Sequence, residues 1–264
     1  MVRIRYLGAA GLTLLALSLA PVGALAVEGV NLSWDNCFGE GSGVQNQSFA
    51  CDTNSGSEQL FGSFVLGADV PLVDGIDSAV RLVSAAAVLP EWWRFKNPGS
   101  CRLLSLSVND VFDPEWQVCQ PWAPGGAGII AYYCIVSNPC FGFSFGDNVA
   151  EIHMSSFVTG EALTDLPAGV EHFVFRLMIN HAKSVGSGAC GGCSTPACMI
   201  FTGVNVGSFD INVEDRLINT PTSPGSNLVT WQGGAVPITR STVTCPGATP
   251  TRNSTWGSVK SMYR

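Results

Sequence analysis

Ten cysteines, every one downstream of an apolar leader, restrict this chain more than any other feature of its sequence. The leader, MVRIRYLGAAGLTLLALSLAPVGALA, places Arg3 and Arg5 before an apolar run from Leu7 to Ala20 and ends in Ala24-Leu25-Ala26. That is the layout of a secretory signal peptide with a small-x-small cleavage site. The run is shorter than the ~20 residues a membrane helix needs, and Pro21 breaks it. Residues 1–26 are therefore expected to be removed. The mature chain would start at Val27, carry no membrane span and be secreted, to the extracellular space or the periplasm. Nothing there keeps thiols reduced, so an even cysteine count reads as a set of disulfides. Closeness in sequence pairs Cys37 with Cys51, Cys101 with Cys119 and Cys134 with Cys140. Cys190, Cys193, Cys198 and Cys245 then share the remaining bonds in an order the spacing leaves open.

The densest stretch, INHAKSVGSGACGGCSTPACMIF, holds His181, Cys190, Cys193 and Cys198. These are the atom types of a tetrahedral zinc site. Only one C-x2-C pair is present, however, and thiolate ligands compete with oxidation outside the cytosol, so zinc is disfavoured. A redox pair wants its first cysteine at a helix N-terminus, whereas CGGC lies among glycines and serines between strand-like runs. Haem attachment wants histidine after the second cysteine, and Ser194 stands there. The reading that remains is a covalent staple, its glycines allowing a tight loop, with His181 an ordinary polar residue at a strand end.

Strand signals recur between turns. VNLSW (30–34) is followed by QLFGSFVL, with Leu60, Phe64 and Leu66 at period two, and by SAVRLVSAAAVL (78–89). CRLLSLSV sets Leu104, Leu106 and Val108 on one face, GIIAYYCIV (128–136) is apolar on both faces and reads as buried, and NVAEIHMSSF alternates. CMIFTGVNVGSFDINV, LVTW and VPITRSTVTC complete the set. No long helical pattern appears before the C-terminus. The expectation is an all-β, disulfide-stapled antiparallel sandwich, immunoglobulin-like or jelly-roll-like, forming one domain over 27–248. In LTDLPAGVEHFVFRLMIN, Leu166-Pro167-Ala168-Gly169 forms a turn and Phe173, Phe175, Leu177 and Ile179 line one strand face. This corner resembles that of fibronectin type III and related immunoglobulin-like sandwiches. The tyrosine those folds place at the corner is absent, and His172 stands in its position.

Loss of Arg3 and Arg5 leaves a mature net charge of about −9, which repels phosphate backbones and argues against nucleic acid as a partner. Among seven tryptophans, Trp92 and Trp93 in LPEWWRFKN are the best platform for a glycan, because neighbours on a strand face opposite ways. Asp52, Asn54 and Glu58 set oxygen ligands two apart, as a calcium site requires, and Asn109, Asp110, Asp113 and Glu115 form a second acidic turn. No other cofactor is expected. No nucleophile elbow occurs, and no catalytic residue is assigned. Glu151 and His153 share a strand face, and Glu151, Glu161 and Glu171 are carboxylates available to a hydrolase. Residues 249–264 form a linker and short amphipathic tail, with Ser254 as N-cap and Trp256, Val259 and Met262 at helical spacing.

VNLSWDNCFGEG, CDTNSGSE, INHAKSVGSGACGGCSTPAC and the TWGSVKSMYR ending resemble segments of an uncharacterised family of exported, cysteine-rich bacterial proteins. The resemblance covers most of the mature chain and implies a bacterial, secreted context. The functional expectation is a secreted, non-catalytic binding or structural surface protein whose partner is a glycan or another surface protein. A carbohydrate-binding module is its sharper form, and a metal-assisted or carboxylate hydrolase is the rival.

Overall fold

The structure, a computed structural model, describes residues 27–39, 43–95, 99–115, 118–140 and 146–233. The leader, Cys245, VPITRSTVTC and the C-terminal tail lie outside the described residues. Among the described residues thirteen strands follow one another: β1 (Gly29–Trp34), β2 (Asn46–Gln47), β3 (Ser57–Val65), β4 (Val70–Ser84), β5 (Leu106–Asn109), β6 (Gln120–Pro121), β7 (Gly128–Ile135), β8 (Val149–Phe157), β9 (Thr164–Leu166), β10 (Glu171–Asn180), β11 (Ala197–Ser208), β12 (Arg216–Ile218) and β13 (Leu228–Trp231). Among the described residues the only helical pieces are two 3-10 turns.

The strands form two sheets. The smaller runs β1-β3-β10-β5, with β6 added on β10; the larger runs β2-β13-β11-β4-β8-β7, with β12 on β11 and β9 on β4. Alternation decides what each strand buries. In β8, Ala150, Ile152 and Met154 point inward, while Glu151, His153, Ser155 and Phe157 take the other face. The main core joins both sheets, with Leu60, Phe64, Phe175 and Leu177 from the smaller meeting Val80, Leu82, Ile152, Phe201 and Val204 from the larger. This is the expected all-β sandwich.

One end of the core is aromatic. Trp231 is its hub, with ring centroids 4.2 Å from Phe49, 4.8 Å from Trp92 and 5.2 Å from Trp93. The Arg102 guanidinium stacks 3.6 Å from the centre of Trp92 and donates to the carbonyls of Trp92, Asn180 and Ala182. Burial lowers its pKa to about 9, so it remains a cation at neutral pH.

Among the described residues four disulfides fasten this frame: Cys37–Cys119, Cys51–Cys193, Cys101–Cys190 and Cys134–Cys140. No described cysteine is free, Cys198 included. Sequence closeness gave only Cys134–Cys140 correctly. Cys37 and Cys51 flank β2, and each bonds to a segment far away in sequence, 82 and 142 residues on, that tertiary folding brings near. The CGGC loop receives two of these bonds. Gly192 makes this approach possible, with φ +111° and an ideal Cβ position only 2.2 Å from Pro90 Cβ.

Three local expectations are corrected. Leu104 is not on a strand and is 79 % exposed, because β5 begins only at Leu106. GIIAYYCIV is not buried throughout: β7 is an edge strand among the described residues, and Ile130 and Tyr132 are exposed. A bulge at Phe173/Phe175 turns Phe173 away from Phe175, Leu177 and Ile179, to pack with Cys37, Phe61 and Cys119 on the outer side of the smaller sheet.

Candidate binding face

The residues singled out in the sequence do not form one site. Trp92 and Trp93 occupy a 3-10 turn, Glu91–Trp93, rather than a strand, and are 0 % and 1 % exposed. Their rings pack on each other, on Phe95 and on Trp231, so the structure places them in the core and leaves no face for a sugar to stack on. Of Asp52, Asn54 and Glu58, the last two are engaged with separate partners. Asn54 exchanges two hydrogen bonds with the backbone of Val185, and Glu58 Oε1 lies 2.6 Å from the buried His181 Nε2. Among the described residues no three acidic, histidine or cysteine groups converge as metal ligands would. In the second acidic turn, Asp110 and Asp113 accept backbone bonds from Ala127 and Glu115.

Glu171 organises a cleft of about 510 Å³ at the edge of the smaller sheet. Its carboxylate accepts from Asn31 Nδ2, Ser63 Oγ and the backbone amides of Phe38 and Gly39. Four donors on one carboxylate make this a clasp for the loop after β1, and no signal in the sequence linked Glu171 to those residues. Beside it, His172 Nε2 is 3.2 Å from the carbonyl of Pro167. The histidine thus ties β10 back to the Leu166–Gly169 turn.

The outer face of the larger sheet offers the most open arrangement. Register places side chains in rows across it, since paired residues share a face. One row is Tyr132, His153, Ala79 and Gly203; the next is Ile130, Ser155, Asp77, Asn205 and Leu217; the third is Gly128, Phe157, Gly75 and Gly207. The middle of this floor is low, made by glycines and Ala79. Two aromatic rings stand at its β7–β8 side, Tyr132 50 % and Phe157 45 % exposed. Ser155 Oγ donates to Asp77 Oδ1, and Asn205 Nδ2 donates to Asp215 Oδ2 at 3.4 Å.

One end of the floor is closed by an ion cluster. Glu151 Oε2 receives Arg81 Nε at 2.8 Å, and Glu151 Oε1 lies 2.8 Å from His153 Nε2. Burial alone would raise the Glu151 pKa, but the bonds from His153 and Arg81 and their charges hold it below the ordinary carboxylate value. The group is therefore an anion near neutral pH, which orients the imidazole and is not a proton donor. Beyond it Val83, Cys198, Ile200 and Leu228 are buried on the same face. The sequence showed that Glu151 and His153 share a face, but Arg81 and the rows across four strands depend on register, which strand patterns alone do not give.

The sequence matches no protein-family model, and no curated protein is significantly similar to it.

Proposed function

We propose that this chain acts outside the cytosol as a non-catalytic binding protein, and that its ligand lies on the open half of the outer face of the larger sheet. The observation that carries this reading is the floor of Gly75, Ala79, Gly203 and Gly207 flanked by the exposed rings of Tyr132 and Phe157. The four disulfides among the described residues suit an oxidising compartment, in line with a secreted protein. A glycan is the ligand class this geometry favours. Sugar rings stack on aromatic faces while their hydroxyls reach in-plane groups, here Asp77, Ser155, His153 and Asn205. Hydrolysis is less favoured, because Glu151 is already held by Arg81 and His153.

Retention on a panel of polysaccharides tests the proposal. Tyr132→Ala and Phe157→Ala should each weaken binding about threefold to tenfold, the loss expected of one aromatic contact. Both side chains are half exposed, so folding is not at stake. Unchanged retention in both variants would remove the glycan reading, and turnover of a bound polysaccharide would return the hydrolase.

A further inference from the structure

A second surface adjoins the glycan floor where β4, β11 and β12 leave the sandwich, meeting it at Leu217 and Asp77. Phe209 is 65 % and Ile211 96 % exposed, and Leu217 and Leu72 are exposed beside them. The backbone brings Leu72 and Phe209 together, with Ile211 two residues on and Leu217 on β12, which pairs with β11. Phe209 N donates to the carbonyl of Leu72 at 2.9 Å, and Ser208 Oγ donates to that of Pro71 at 2.7 Å. Leu72 has φ +49°, a left-handed conformation rare for a leucine, and Asp165 Oδ1 accepts its amide. Apolar side chains exposed together in this way mark an interaction surface.

Carboxylates border the patch. The ideal Cβ position at Gly207 lies 3.3 Å from Asp74 Oδ1 and 3.8 Å from Asp215 Oδ1, and Asp77, Asp165 and Asp210 stand around them. Among the described residues the nearby cation is Arg216, held by Glu28 at 2.6 Å. Among the described residues none of these five aspartates has an ion-pair partner. A partner for this patch must be apolar and cationic. Phosphate backbones and anionic lipid surfaces are repelled, and so is the acidic body of a second copy.

The chain itself contains such a partner. Residues 234–264 carry Arg240, Arg252, Lys260 and Arg264 with no aspartate or glutamate, and end in a run containing Trp256, Val259, Met262 and Tyr263. All the acidic residues thus precede Gly234. Counted from Cys245, the one cysteine left to bond Cys198 at the start of β11, an extended chain to Lys260 spans up to ~50 Å, against ~40 Å for the full length of β11. We propose that the patch of Leu72, Phe209, Ile211 and Leu217 binds the basic tail, residues 249–264, of the same chain.

Zero-length carbodiimide coupling of the full mature chain tests this, because its only lysines are Lys96, Lys183 and Lys260. Lys260 should couple to Asp74, Asp210 or Asp215 within monomers, and the yield should fall several-fold in molar salt, which screens exposed charges. It should fall likewise in Ile211→Ser, where a side chain this exposed leaves folding intact, and in Asp74→Asn/Asp215→Asn. Coupling of Lys260 to carboxylates elsewhere overturns the proposal. So does coupling found only in cross-linked dimers, or a yield that neither salt nor Ile211→Ser lowers.

Discussion

His172 fastens a strand corner through a group that can titrate. Its imidazole can donate to the Pro167 carbonyl in either protonation state, but burial favours the ring only while it is neutral. Burial lowers the pKa of His172, outweighing the Pro167 carbonyl and the nearby Glu171 carboxylate, both of which favour the cation. Its ring packs 5.4 Å from that of Phe64, and no described residue bonds Nδ1. The neutral form with the proton on Nε2 fits these contacts. As pH falls through the ordinary value of 6.5, the unfolded chain takes up a proton that the folded chain refuses. Stability held above that value is therefore lost progressively below it. Urea midpoints at pH 7.5 and 5.5 should differ more in the natural protein than in His172→Gln, whose amide can still donate to Pro167. Equal differences would show that the histidine does not carry the acid sensitivity.

Strands were legible where one face meets the core and the other does not. The alternation of NVAEIHMSSF gave β8 and its inward residues, and LPAGVEHFVF gave the β9–β10 turn, with Gly169 at φ +76° as expected. Periodicity failed where the chain leaves a regular ladder. The bulge between Phe173 and Phe175 reverses a face without changing the pattern of apolar letters, and an edge strand such as β7 is as apolar as a central one. The candidate face was illegible for the same reason, because its rows exist only once four strands are in register. A glycine records one constraint the pattern could not express. A Cβ on Gly62 would lie 2.2 Å from Cζ of Phe175, the residue paired with it across β3 and β10. Gly62→Ala should cost about 1–3 kcal/mol, as overpacking does in a filled core. Adding Phe175→Leu should recover part of that loss, which a thermodynamic double-mutant cycle would read as a favourable coupling. Independent, additive losses would place the constraint in the backbone instead.

At the scale of the whole molecule, the disulfides link what the two sheets alone leave apart. Composition and the leader indicated a stapled sandwich, yet three of the four described bonds join segments separated by 82, 89 and 142 residues. Proximity in sequence is a poor guide when the partner is delivered by β-pairing. The CGGC loop connects β10 to β11, and hence the smaller sheet to the larger, and its two bonds reach Cys51 ahead of β3 and Cys101 ahead of β5. In the chain-entropy account, the closed loop decides how much the unfolded state is restricted. Cys134–Cys140 closes a hairpin end of separation 6, so its removal should cost about 2 kcal/mol. Cys51–Cys193 spans 142 residues, and the other bonds shorten its shortest path to a few tens, so its removal should cost about 4 kcal/mol. Denaturant titration of Cys51→Ala/Cys193→Ala and Cys134→Ala/Cys140→Ala measures both. A larger loss for the first pair identifies the cysteine loop as the tether between the sheets. Equal losses would mean that local packing of sulfur, and not loop closure, sets the contribution of each bond.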